Sequence, residues 1–187
     1  MRNSCSQTVK RIVVTGPAGA GKSRLAGELG RQLGIRVLHL DTMFWKPGWV
    51  PTPVPEWEAL QRRELAAGSW IADAQFDDML PEWFEAADTV VFVDASPLRC
   101  FWHVSRRRFD RNASAGVPAG TEPGAAHRAL LKFFRNQWRY RTRVRRALLD
   151  ELARERDGRR VVVVRRSADA AAFLAGVDSP GPAGGTL

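Results

Sequence analysis

Short apolar runs alternate with amphipathic segments along the chain. The apolar runs lie at residues 12–14, 35–40, 69–72, 89–93 and 161–164, and their length and β-branched content are typical of buried strands. Apolar residues at helical spacing predict helices that end at about residues 33, 67, 108, 156 and 174. Because parallel strands need crossover connections, this alternation predicts an α/β fold with a mainly parallel sheet.

One domain accounts for most of the chain. With 187 residues, of which 44% are hydrophobic, the chain is long enough to bury one core. We predict an N-terminal tail at residues 1–9, a single domain at residues 10–176 and a disordered tail at residues 177–187. Residues 112–126 are rich in Gly, Ala, Ser and Pro without periodicity, which predicts a mobile lid at about residues 109–126.

A glycine-rich octet follows the first predicted strand. Its sequence, GPAGAGKS at residues 16–23, fits the pattern G-x-x-x-x-G-K-[ST] and precedes a predicted helix. Glycines let backbone N–H groups point into one concavity, and the helix N-terminus adds partial positive charge, so the octet predicts a phosphate-binding loop (P-loop). A glycine-rich turn that happens to carry a lysine is the alternative. The predicted nucleotide-binding residues are Gly16, Pro17, Ala18, Gly19, Ala20, Gly21, Lys22, Ser23, Arg24 and Arg107.

Three aspartates, Asp41, Asp73 and Asp94, follow predicted strands. Ligands of parallel sheets bind beyond the carboxyl ends of the strands, which places these carboxylates at the same edge as the octet. We predict that Ser23 and Asp73 bind Mg²⁺, because Mg²⁺ prefers oxygen ligands with one or two carboxylates. Asp41 is a candidate general base or a residue that positions the acceptor. The alternative for each aspartate is a turn or N-cap carboxylate.

The net charge of +9 comes from one part of the chain. Residues 99–146 contain 13 Lys or Arg and 2 acidic residues, which suits a polyphosphate ligand or a nucleic acid. On the helix predicted at residues 126–156, Arg141 and Arg145 fall among the apolar positions, while six other basic residues form an outward stripe. Since a buried guanidinium needs an anionic partner, we predict that these two arginines hold phosphate. Pairing with a carboxylate is the alternative.

Arg107 lies where a basic helix enters the predicted lid. Arginines on a closing lid neutralise charge in the transition state of phosphoryl transfer, although a simple solvated face is the alternative for this position. The predicted catalytic residues are Lys22, Asp41, Asp73, Arg107, Arg141 and Arg145.

Composition also predicts the cellular setting. The longest apolar runs are too short to span a bilayer, and the first ten residues lack the apolar segment of a signal peptide. Two cysteines, Cys5 and Cys100, fit reduced thiols better than a disulfide framework. We therefore expect a cytoplasmic protein without a membrane partner.

Together these segments resemble the small adenylate-kinase-like P-loop proteins that are often labelled DNA topology modulation proteins. The resemblance covers roughly residues 10–174, and its most specific parts, besides the octet, are HLDTMFWKPGW at 39–49, WIAD at 70–73, AADTV at 86–90 and RRR at 106–108. It implies the three-layer P-loop NTPase fold of the nucleoside monophosphate kinases. That fold has a five-stranded parallel sheet in the order 2-3-1-4-5 and a mobile lid between the last two strands. The resemblance also implies the use of ATP and Mg²⁺.

The sequence departs from that family at two places. Ala74-Gln75-Phe76 stands where the family usually has Gly-Asn-Tyr after the aspartate, and His103 stands where a further arginine is expected. The first change affects how closely the backbone can approach an acceptor phosphate, and the second affects stacking on the base. The second change counts against standard adenylate kinase activity, and the first leaves open an ATP-binding protein with degenerate catalysis.

The predicted function is that of an ATP-dependent kinase with a small anionic acceptor, a nucleoside monophosphate in the first instance. A phosphate acceptor is already largely anionic near neutral pH, so it needs arginines rather than a strong base. Because a hydroxyl acceptor benefits from a nearby carboxylate base, Asp41 makes a kinase that phosphorylates a hydroxylated metabolite the alternative. A third possibility is an ATP-binding protein associated with nucleic acid, whose basic residues follow a phosphate backbone; no recognised nucleic-acid motif supports it.

Overall fold

The computed structural model describes residues 10–47, 50–75, 81–109, 135, 145–146 and 159–177. The strands and helices whose bounds are described are, in chain order, β1 Arg11–Gly16, α1 Lys22–Leu33, β2 Val37–His39, α2 Leu40–Phe44, β3 Trp45–Lys46, β4 Val50–Pro51, α3 Val54–Leu65, β5 Trp70–Gln75, α4 Pro81–Ala86, β6 Thr89–Val93, α5 Pro97–Phe109, β7 Arg160–Val164 and α6 Ser167–Ala175.

Five of these strands form a parallel sheet in the order β2-β5-β1-β6-β7. The central strand β1 pairs with β5 from Arg11 opposite Trp70 to Gly16 opposite Gln75. With all strands numbered along the chain, this order reads 2-5-1-6-7 instead of the predicted 2-3-1-4-5, although the five strands of the sheet keep the predicted order among themselves. The reason is that β3 and β4, which the apolar pattern does not predict, form a separate antiparallel pair between β2 and β5.

The outer strands of the sheet are short or flanked by charge. β2 has three residues. β7 contains a run of valines with two arginines on either side, namely Arg159, Arg160, Arg165 and Arg166.

Two apolar cores cover the two faces of the sheet and give the domain three layers. Ile12 and Val14 belong to the core shared with α1 and α6, whereas Val13 belongs to the core shared with α2, α3 and α4. Side chains alternate between the faces of a strand, and Ile71 of β5 lies in the first core. Asp73 is two residues further and pairs with Val14, so it lies on the face that α1 covers.

The described elements extend some predicted ones and add others. β5 continues to Gln75 beyond the predicted end at residue 72, and the short helices α2 and α4 lie in segments where the pattern predicts none. Gly34 ends α1 in the left-handed conformation (φ 66°), as a C-terminal cap residue should. The predicted lid after Phe109, residues 1–9, residues 178–187 and most of the predicted helix at residues 126–156 lie outside the described residues. Val177, at which the predicted disordered tail begins, is 3% exposed and belongs to the core. Among the described residues, no helix has the length and apolar character that crossing a membrane requires.

Candidate functional site

The octet lies between the end of β1 and the first turn of α1, which is the strand, loop and helix order that a P-loop requires. Gly16, Gly19 and Gly21 all have positive φ angles, of 150°, 81° and 97°, a backbone conformation that side chains disfavour. The loop is closed by a hydrogen bond from the Ala20 N–H to the Pro17 carbonyl oxygen at 3.2 Å. The ammonium of Lys22, a residue only 8% exposed, donates to the same oxygen at 3.2 Å.

Two of the three glycines, Gly16 and Gly19, are required by neighbouring atoms as well as by their backbone angles. A Cβ on Gly16 would collide with the backbone carbonyl group of Val93. A Cβ on Gly19 would lie 2.6 Å from the carbonyl oxygen of Cys100 in α5. A Cβ on Gly21 would meet no atom within 4 Å, so the loop is open on that side.

A cavity of about 420 Å³ opens beside the loop, between α1, α5 and the connection from β7 to α6. Its basic side chains outnumber its acidic one, Glu28, which forms an ion pair with Arg24 at 2.8 Å. The indole of Trp102 is 56% exposed and lies under the Arg106 guanidinium, whose Cζ is 5.3 Å from the ring centroid. The cavity therefore combines an aromatic wall with positive charge. Its basic residues are Arg24, Arg99, Arg106, Arg165 and Arg166.

The predicted carboxylates occupy different environments at the sheet edge. Asp73 is 6% exposed and lies within β5 rather than after it, because the strand continues to Gln75. Its Oδ2 is 2.8 Å from Nδ1 of His39, the residue that β2 places opposite it. Asp41 lies exposed in the first turn of α2, and Ser23 lies exposed in the first turn of α1.

Arg145 lies against Asp94 at the end of β6. Its Nε is 3.0 Å from Oδ1 and its Nη2 is 2.8 Å from Oδ2, and Arg165 approaches the same carboxylate at 3.6 Å. Of the two roles considered for an inward arginine, the structure thus gives Arg145 the carboxylate partner. The side chains of Arg107 and Arg141 lie outside the described parts of the chain, so their predicted roles stay predictions.

A second cavity, of about 640 Å³, lies between α2, the β3–β4 pair and α3. Thr42, Met43 and Trp45 line one side, and an ion pair between Lys46 and Glu56 at 2.7 Å lies within it. Trp45 is 40% exposed and faces this cavity, whereas Trp57 of α3 is 6% exposed and packs in the core. Trp49 lies outside the described residues.

The sequence reasoning missed two histidines that contact predicted site residues. His39 bonds Asp73, and His103 lies with Nδ1 3.0 Å from the carbonyl oxygen of Gly19. A signal for His39 existed, because it lies near the end of a predicted strand, two residues before Asp41. His103 was noted only as a replacement for arginine, since no local pattern indicates that α5 packs on the loop.

Comparison with known proteins supports the fold. No family profile matches the sequence. A shikimate kinase from Acinetobacter baumannii, in complex with shikimate, superposes with a TM-score of 0.53 at 14% identity, with 90% of each chain covered. A shikimate kinase from Bacteroides thetaiotaomicron gives a TM-score of 0.47 at 16% identity, with 89% of this chain and 95% of that one covered. The first superposition shows that this chain shares the fold of that shikimate kinase.

One curated relative matches over a short segment. A stretch of 58 residues is 43% identical to an N-glycosylase/DNA lyase from Aeropyrum pernix, which amounts to 31% of this chain and 18% of that protein. The chain thus spans less than a fifth of the length of this relative.

Proposed function

We propose that this protein is an ATP-dependent kinase that transfers the γ-phosphoryl group to a hydroxyl group of a small metabolite. The observation that carries the proposal is the P-loop. Its glycines adopt the angles that a phosphate-binding loop needs, its lysine lies buried within it, and it opens into a cavity of about 420 Å³. That volume suits a nucleotide-sized ligand. The basic side chains would bind the phosphates and Trp102 would stack on the base.

The described residues also fit Mg²⁺. Ser23 at the start of α1 and Asp73 on the α1 face supply a hydroxyl and a carboxylate, the oxygen donors that Mg²⁺ prefers. Among the described residues, no cluster of three or more His, Cys, Asp or Glu could hold a metal alone. This suits an ion that completes its shell with water and phosphate oxygens. When bound, Mg²⁺ neutralises charge on the transferring phosphates.

The described part of the acceptor edge favours a hydroxyl acceptor over a nucleoside monophosphate. It presents the carboxylate of Asp41 and the His39–Asp73 pair, whereas Arg145 is engaged by Asp94. In the proposed reaction the acceptor oxygen bonds to the γ-phosphorus, the bond from that phosphorus to the β,γ-bridging oxygen breaks, and ADP leaves. Asp41 orients the hydroxyl and accepts its proton.

The acceptor would bind in the cavity between α2 and α3. Its volume of about 640 Å³ suits a small molecule. Thr42 in this cavity directly follows Asp41, and the lining mixes an indole, a hydroxyl and both signs of charge. Such a lining fits a hydroxylated compound better than a dianionic phosphate.

A nucleoside monophosphate acceptor is the second candidate. It is favoured by the 13 Lys or Arg between residues 99 and 146, most of which lie outside the described residues. The products distinguish the candidates, because a hydroxyl acceptor yields a phosphate monoester and a nucleotide acceptor yields a new P–O–P linkage.

The test is phosphoryl transfer from Mg-ATP to a panel of hydroxylated metabolites, including shikimate and gluconate, and of nucleoside monophosphates. ADP release gives the rate, and ³¹P NMR identifies the product. We expect a phosphate monoester from one hydroxylated acceptor, with Lys22→Ala reducing transfer by about 100-fold or more. Lys10→Ala, a matched change at an exposed lysine, should leave the rate unchanged. A rate that is equal in wild type and Lys22→Ala, with no dependence on any acceptor, would rule out the proposed function.

A further inference from the structure

Helix α5 packs directly against the phosphate-binding loop at Gly19. A Cβ on this residue would lie 2.6 Å from the Cys100 carbonyl oxygen and 2.9 Å from Cγ2 of Val104. Cys100 itself is fully buried. The loop therefore has a second support besides β1 and α1, and that support comes from a helix some 80 residues later in the chain.

His103 adds a hydrogen bond to this contact. Its Nδ1 lies 3.0 Å from the Gly19 carbonyl oxygen. A carbonyl oxygen can only accept, so the ring carries its hydrogen on Nδ1 and donates it. The ring also lines the nucleotide cavity, with its centroid 5.6 Å from that of Trp102.

One peptide plane connects this hydrogen bond to the loop's lysine. The Gly19 carbonyl and the Ala20 N–H belong to the same trans peptide unit, so they point in opposite directions and turn together. While His103 binds the carbonyl, the Ala20 N–H donates to the Pro17 carbonyl oxygen. That oxygen also accepts the hydrogen bond of the Lys22 ammonium. His103 is thus linked to Lys22 by three successive hydrogen bonds and one rigid peptide.

We propose that His103 is a positioning residue for nucleotide binding, which holds the loop in the conformation that presents Lys22 and the backbone N–H groups to the phosphates. The proposal rests on the proposed function, because it assumes that the loop binds ATP. A loop that is ordered before the ligand arrives binds more tightly, since binding then pays less conformational entropy. Loss of the His103 bond therefore weakens nucleotide binding more than it slows the chemical step.

The experiment measures the Kd of the Mg²⁺ complex of a non-hydrolysable ATP analogue, adenylyl imidodiphosphate, by isothermal titration. His103→Leu removes the hydrogen-bond donor. His103→Gln carries its amide one methylene group further from the helix backbone, away from the position of Nδ1, whereas His103→Asn keeps an N–H donor near that position. We expect Kd to rise by about 3- to 10-fold for Leu and Gln, the range of one lost hydrogen bond, and to stay within about 2-fold of wild type for Asn. In the transfer assay KM for ATP should follow Kd, with kcat changing by less than about 2-fold. Leu98→Ala, an exposed position of the same helix, is the control for general effects on α5.

The outcomes separate this inference from the proposed function. If the His103→Leu and His103→Gln variants bind the analogue as tightly as wild type does, His103 does not position the loop. The same conclusion follows if Asn binds as weakly as Gln, or if kcat falls while KM is unchanged. Should His103→Leu fail to fold, the contrast between Asn and Gln decides. If wild type itself does not bind the analogue, the proposed function fails and this inference fails with it.

Discussion

Removal of the ion pair between Asp94 and Arg145 tests whether this arginine stabilises the fold or binds a phosphate group of a substrate. Two guanidinium nitrogens contact the carboxylate, with the shortest distance 2.8 Å, and the side chains are 12% exposed for Asp94 and 35% for Arg145. Exposed pairs contribute about 0–1 kcal/mol, and breaking a buried pair costs about 3–5 kcal/mol. Since one partner is a third exposed, we expect a coupling free energy of about 1–2 kcal/mol.

The single changes should differ in cost. Arg145→Ala leaves a largely buried carboxylate whose other basic neighbour, Arg165, is 3.6 Å away, so we expect a loss of about 2–3 kcal/mol in the free energy of unfolding. Asp94→Ala leaves a more exposed guanidinium and should cost about 1–2 kcal/mol. For a domain of this size, 2 kcal/mol corresponds to a decrease in Tm of about 4–8 °C.

The assay is a double-mutant cycle by urea unfolding, with phosphoryl transfer measured on the same four proteins. Arg146→Ala, at the adjacent exposed arginine, is the matched control. A coupling free energy near zero would refute the structural role. So would a decrease in kcat/KM of more than about 100-fold for Arg145→Ala alone, because that is the effect of an arginine that contacts the transferring phosphate.

Two further predictions concern glycine and charge. Gly19→Ala places a Cβ 2.6 Å from a helix carbonyl oxygen at a φ of +81°, whereas the Cβ of Gly34→Ala meets nothing within 4 Å at a φ of +66°. By urea unfolding, we expect Gly19→Ala to lower the free energy of unfolding by more than about 2 kcal/mol and Gly34→Ala to lower it by about 1 kcal/mol. Equal losses for the two variants would contradict this prediction. The backbone N–H groups of Arg166 and Arg165 lower the pKa of Asp169 from 3.8, so its stabilising contribution is present above that value and disappears as the pH falls through the lower folded pKa. Asp169→Asn should therefore lower Tm at pH 7, and in thermal melts this difference should shrink as the pH falls below 3.8. A difference in Tm that does not change with pH would count against this prediction.

The loop and the central strands could be predicted because their signals are local. The octet is recognised from the spacing of its own glycines and lysine, and runs such as residues 90–93 are apolar at every position, as a strand covered on both faces must be. The elements that were missed, α2 and α4, have five and six residues, too few for helical periodicity to distinguish them from irregular structure. Lys46 and Val50 lie in segments so rich in proline and glycine that β3 and β4 gave no strand pattern.

The contacts of the candidate site join residues that lie far apart in the chain. His39 and Asp73 are 34 residues apart, and His103 and Gly19 are 84 apart, so no spacing within one segment indicates either pair. For Arg145, helical periodicity indicated an inward side chain that needs an anion. It could not indicate which anion, because the position of Asp94 relative to that helix is set by tertiary packing.

The outer strands of the sheet also bear on edge-to-edge association between copies of the protein. A free sheet edge can recruit a strand from another molecule, and a run such as the valines of β7 has the β-propensity and low charge that favour such growth. Here the run is bracketed by two arginines on each side, and stacked copies would bring these like charges together. The opposite edge, β2, offers only three residues of backbone for pairing. Both edges therefore disfavour amyloid-like assembly, and replacement of the bracketing arginines by neutral residues would remove that protection from the valine edge.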